Sequence, residues 1–169
     1  MAQADALWLA PASPGRQNGG QKMQIGRVQD PAVVDDKRFV ALVKAAVKTT
    51  VLKEEPIERL LEGLRDALSS ENVGVFIGAE GPDLKAIAVV FLPMSKLSSS
   101  PQVYHFFCTG GAKMRDALVD KVLAFARKNG YNQLWAINGT GKPDAAWAYA
   151  FKRAGPPLRI GSVMEFKTK

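Results

Sequence analysis

One cysteine, one histidine and no apolar run of membrane length set the first limits on this 169-residue chain. A lone thiol, Cys108, excludes a disulfide framework and a cysteine-cluster metal site. With a single imidazole, His105, and no grouped carboxylates, a transition-metal centre is not expected. The longest nearly apolar stretch, Ala86 to Met94, is too short to span a bilayer. Ala6-Leu7-Trp8-Leu9-Ala10 has no basic residue before it beyond the terminus, so no secretory signal is expected and the protein is assigned to a cytoplasm. Gly139-Thr140-Gly141-Lys142 ends like a nucleotide-binding P-loop, but Ala136 stands where the first glycine is needed and Pro143 where a metal-binding hydroxyl belongs. There is no nucleophile-elbow motif, internal repeat or heptad pattern.

What is present is a globular composition, 47% apolar, in a chain long enough for one domain. Residues 1–22 read as a separate unit, since Pro11, Pro14, Gly15, Gly19 and Gly20 among small polar residues cannot build a core. Leu7, Trp8 and Leu9 at the start of this arm are the kind of apolar anchor that reaches a neighbouring protein subunit. The rest, 23–169, reads as a single domain. Its second half is the more informative. Val103, Tyr104, Phe106 and Phe107, bounded by Pro101 and Gly110-Gly111, predict a buried strand that ends in a turn. Leu118, Val122, Phe125 and Ala126 recur at helical spacing with charges opposite, and Asn129-Gly130 supplies a stop. Leu134, Trp135 and Ile137 predict a further strand, and Pro143 with Asp144 starts a helix that ends near Gly155.

A strand that runs through a tight turn into a helix aims free backbone N–H groups at one spot, which suits a phosphate. In this order and size the segment resembles the cofactor half of the GNAT superfamily of acetyl-CoA-dependent N-acetyltransferases. Upstream, a strand at Met23 to Gln29, helices at Val33 to Thr49 and Pro56 to Ser69, a hairpin at Val73 to Ala79 and Lys85 to Leu92, and a last strand at Ser162 to Lys167 complete the likeness. The resemblance implies an α/β (α+β) fold. Its central sheet is mixed, mostly antiparallel and twisted, with about four flanking helices and an extended N-terminal arm. It also implies acetyl-CoA as cofactor, with N–H groups near Phe107, Cys108 and Thr109 polarising the thioester and a loop of Gly110, Gly111, Lys113 and Arg115 holding the phosphates.

Three positions depart from that family's pattern. Lys113 and Arg115 stand where the phosphate loop has small residues, and their side chains are expected to crowd the loop. Phe151 stands where many members carry the tyrosine that protonates the departing thiolate, and a phenyl ring donates no proton. Tyr149 is about 200° away around the helix. The strand from Gln102 to Cys108 holds no carboxylate, which leaves His105 as its one candidate base, or else a packed core histidine.

Charge is unevenly placed. Residues 101–169 carry eleven Lys and Arg against four Asp and Glu, whereas residues 1–100 carry twelve of each sign. The basic half is either a solvated surface or a face for polyanions, CoA phosphates or an unspecific nucleic-acid backbone. Two functions therefore stand side by side. In the first, favoured by the departures, the fold is kept without its chemistry and serves a structural or interaction role. The worn domain, apolar-tipped arm and basic half together resemble small accessory proteins of tailed bacteriophages, which implies a virion-associated or assembly function. The alternative is an active N-acetyltransferase acting on a protein or small-molecule amine.

Overall fold

The computed structural model describes residues 22–48, 55–93, 100–137, 149–151 and 163–167. Strand β1 (Met23–Val28) leads through a 3-10 turn (Pro31–Asp35) to helix α1 (Lys37–Val47), and helix α2 (Ile57–Leu68) precedes a hairpin of β2 (Val73–Glu80) and β3 (Asp83–Phe91). Strand β4 (Gln102–Cys108), helix α3 (Gly111–Lys128), β5 (Gln133–Ile137) and β6 (Val163–Lys167) follow. The strands form one sheet in chain order, β1 to β6, antiparallel at every junction except β4 with β5. Parallel neighbours need a crossover, and α3 supplies it.

Two apolar cores follow from the two faces of that sheet. Phe76, Ala86, Ala88, Val90, Val103, Leu134 and Ala136 pack beneath Met114, Leu118, Val122 and Phe125 of α3. On the opposite face Val75, Ile77, Ile87 and Val89 pack with Phe39, Leu42 and Val43 of α1 and Leu68 of α2. Strand β2 is covered on both sides, which explains why its residues 73–79 are all buried and its sequence runs apolar instead of alternating. The mixed, mostly antiparallel sheet with helices on both faces is the architecture the sequence implied.

One local reading changes. The single helix expected from Val33 to Thr49 is interrupted at Asp36, whose backbone is extended (φ −71°, ψ 122°). Its carboxylate accepts a hydrogen bond from the Arg38 N–H at 2.7 Å and so caps α1, while Asp30 caps the 3-10 turn in the same way. In α2 only Ala67 and Leu68 are buried, and Ile57, Leu60, Leu61 and Leu64 are half-covered. Among the described residues no helix is long and apolar enough to cross a membrane. The arm with Leu7, Trp8 and Leu9, residues 94–99, the P-loop-like 139–142 and most of the helix expected after Pro143 lie outside the described residues.

Candidate functional site

Strand β4 pairs with β3 along its whole length, whereas among the described residues it pairs with β5 at Gln102 opposite Trp135 and Val103 opposite Ala136. The junction is tied at its start by the Trp135 N–H, which donates to the Pro101 carbonyl at 2.8 Å. Their described pairing ends at Val103. Among the described residues no strand pairing is seen on that side of β4 from Tyr104 to Cys108, and a strand edge is a row of directed donors and acceptors. This corrects the expectation of a buried strand: Val103 is fully buried, Tyr104 is 50% exposed and His105 to Cys108 are half-buried.

A bulge sits just past Val103. Val89 faces His105 but the next residue, Val90, faces Val103, so Tyr104 is an extra residue on β4. Because directly opposed residues share a face, His105 and Phe107 lie with Val89 and Ile87 on the α1 side, whereas Phe106 packs with the α3 core. The bulge also brings the Tyr104 and His105 rings together, 5.9 Å between centroids and nearly edge to face. Burial pushes the His105 imidazole below its ordinary pKa, so at neutral pH it is an uncharged proton acceptor.

At its far end β4 runs directly into α3. The Thr109 N–H and hydroxyl both reach the Lys85 carbonyl, at 2.8 and 3.1 Å, and fix the exit of the strand. Gly110 and Gly111 then do different work. A Cβ on Gly110 would lie 2.2 Å from the Met114 sulfur, so this glycine exists to let Met114 pack against the strand. Gly111 has a left-handed backbone (φ 78°) and nothing within 4 Å of where a Cβ would stand, so its free face is the one open to a ligand. The first turn of α3 has neither a side-chain cap nor an acidic residue, in contrast to the 3-10 turn and α1 with their aspartates and α2 with Glu58. Its N–H groups and dipole suit an anion.

The flanking side chains are disposed as follows. Lys113 is exposed. Arg115 is bound to Asp116 at 2.8 Å and lies 4.4 Å above the Tyr149 ring, so its guanidinium is held to one side by a carboxylate and an aromatic face. Phe151 is fully buried and packs on Phe106, 5.3 Å between ring centres, while Tyr149 is 56% exposed. The two side chains thus face different neighbours, and Tyr149 belongs to the start of α3. The Cys108 thiol is held above its usual pKa, chiefly by burial, against the opposing effects of the Gly110 N–H and the Arg115 charge. A thiol in that state is no nucleophile at neutral pH. Among the described residues no group of three His, Cys, Asp or Glu could hold a metal ion.

The sequence candidates from His105 to Arg115 are therefore brought together as one strand-to-helix junction. The bulged Tyr104, the Met114 socket and the Arg115–Tyr149 contact were missed. A bulge inside Tyr-His-Phe-Phe leaves no mark in the sequence, because every residue there is a good strand former.

No family model and no curated protein matches the chain by sequence. Solved structures do match by shape. A GNAT-family acetyltransferase from Streptococcus pneumoniae superposes with a TM-score of 0.61 at 13% identity, over 86% of this chain and 99% of its own. YncA of Salmonella typhimurium, solved with its cofactor acetyl-CoA, gives 0.61 at 14% identity, over 87% and 94%. The PaiA N-acetyltransferase of Thermoplasma acidophilum, solved with coenzyme A, gives 0.61 at 12%, over 86% and 99%. Superposed over most of its length on these structures, this chain has the fold of the GNAT acetyltransferases.

Proposed function

We propose that the chain is an N-acetyltransferase that takes the acetyl group from acetyl-CoA and passes it to an amine. One observation carries the reading: β4, whose described pairing with β5 ends at Val103, runs straight into the uncapped start of α3 at Gly111. An elongated ligand with an amide-bearing arm and a pyrophosphate matches that track, its amides pairing with the strand edge and its phosphates meeting Gly111 and the first-turn N–H groups. Lys113 adds a positive charge at that end. Two of the structures that share the fold were solved with acetyl-CoA or coenzyme A, which supports the same ligand here.

Of this chain's residues, the N–H groups at Phe107 to Thr109 would bear the developing charge on the thioester oxygen, and neutral His105 would accept the proton of the attacking amine. The amine nitrogen bonds to the acetyl carbon, the carbon–sulfur bond breaks, and the thiolate takes a proton from water or from the amine nitrogen as the amide forms. No tyrosine is required for that last step.

A second reading rests on Phe151. A buried phenyl ring against Phe106 occupies the place of an expected proton donor, as in a fold kept for assembly, and a virion-associated role belongs with it. Calorimetric titration with acetyl-CoA separates the two. The proposal expects micromolar binding that weakens several-fold in Lys113→Glu, an exposed change that leaves the core alone. Absence of heat up to millimolar acetyl-CoA overturns it in favour of the assembly role.

A further inference from the structure

Phe91, Tyr104 and Tyr149 are the large apolar side chains that stand exposed among the described residues. Two of the three touch each other. The Phe91 and Tyr104 rings meet edge to face at 5.4 Å, and Tyr104 in turn contacts His105 at 5.9 Å. Phe91 is 38% exposed at the end of β3 and Tyr104 50% exposed on the bulge, so the pair forms an aromatic step on the α1 side of the sheet. Burying these rings in a core would have been the default; instead the extra residue of the bulge turns Tyr104 outward beside the imidazole, next to Val103 and its pairing with β5.

We infer that Phe91 and Tyr104 form the docking step for the acetyl acceptor, and that the acceptor is a primary alkylamine presented as its ammonium ion. The role as acceptor site rests on the acetyl-transfer reading above. An alkylamine is protonated at neutral pH, with a pKa near that of lysine, about 10.4. It must be attracted as a cation and then lose a proton. The β4 strand offers it no carboxylate. A carboxylate would hold the ammonium but would also stabilise its charge and resist deprotonation, whereas an aromatic face attracts the cation through its quadrupole and lets the proton go more readily. The next group along the strand is His105, which takes that proton; the neutral nitrogen then attacks the acetyl carbon, and the imidazolium returns its proton to solvent. An arylamine, uncharged at neutral pH, would gain nothing from the cationic attraction.

The test uses the full chain without acetyl-CoA. Titration with n-butylammonium, followed by NMR of the Tyr104 and His105 rings, should shift both, while n-butanol should bind more weakly at the same place. Tyr104→Leu should weaken butylammonium binding by about 2- to 30-fold, the range of a cation–π contact, and Tyr104→Phe should retain it because the ring and not the hydroxyl is used. In turnover assays Tyr104→Leu should raise KM for the amine and leave kcat nearly unchanged. Equal binding of butanol and butylammonium, or no response at either ring, overturns the inference even in a protein that binds acetyl-CoA. A protein that ignores acetyl-CoA yet shows the ammonium-selective, Tyr104-dependent response supports the amine site and overturns acetyl transfer.

Discussion

The His105 imidazole is half-buried on β4, and burial is the cause that holds its pKa below the ordinary histidine value of 6.5. The unfolded chain therefore binds the proton more readily than the folded one. Stability must fall as pH drops through about 6.5 and stop falling below the folded pKa. His105→Gln removes that dependence. Urea unfolding from about pH 7.5 to 5 should show native protein losing stability where the variant stays flatter. Equal slopes in both would mean that other groups carry the effect and that His105 is no titrating base. Gly110 teaches a related lesson at the same scale. In the sequence it is one of two adjacent glycines before a helix, which reads as a loop for phosphates. In the fold its missing side chain is taken up by Met114, and Gly111 alone faces open space. Nothing in a glycine's identity distinguishes close approach by a ligand from close approach by a methionine.

At the scale of elements, patterns of period two and 3.6 were legible and breaks within them were not. Strand β2, the β2–β3 hairpin, α2, β4 and α3 all fall where the spacing of apolar residues puts them, to within a residue or two. The single helix drawn across Val33 to Thr49 failed because its apolar periodicity continues through Asp35 and Asp36, while the Asp36 side chain competes for the backbone and starts a new helix. That cap has a measurable weight. Asp36→Ala removes the acceptor for the Arg38 N–H and the ion pair with the Arg38 guanidinium, whose hydrogen bonds to the carboxylate are the chief cause that holds its pKa below the usual value. A loss of about 1 kcal/mol is expected in chemical denaturation, with Asp36→Asn keeping most of it. A loss within error of zero would show that α1 is held by Phe39, Leu42 and Val43 in the core and not by its cap.

At the scale of the molecule the sheet has two parts, β1 to β4 on one side and β5 with β6 on the other, which among the described residues pair at Gln102 and Val103. The sequence pointed to both strands and to the crossover helix, yet not to where they pair, because strand pairing depends on where β5 is carried by α3 and not on the residues of β4 alone. A ligand laid along β4 from Tyr104 to Cys108 would act as a further strand between the two parts. Hydrogen exchange reads this directly. In free protein the β4 amides that face away from β3, between Tyr104 and Cys108, should exchange faster than those bonded to β3. Saturating acetyl-CoA should slow them, together with the first-turn amides of α3. Ligand at about 100 times its Kd adds roughly 2.7 kcal/mol to global stability, so slower exchange spread evenly over β2 and β3 would report only that general stabilisation. Protection concentrated at Tyr104 to Cys108 and at Gly111 to Met114 would place the cofactor along β4 and at the start of α3; protection elsewhere would move the site away from them.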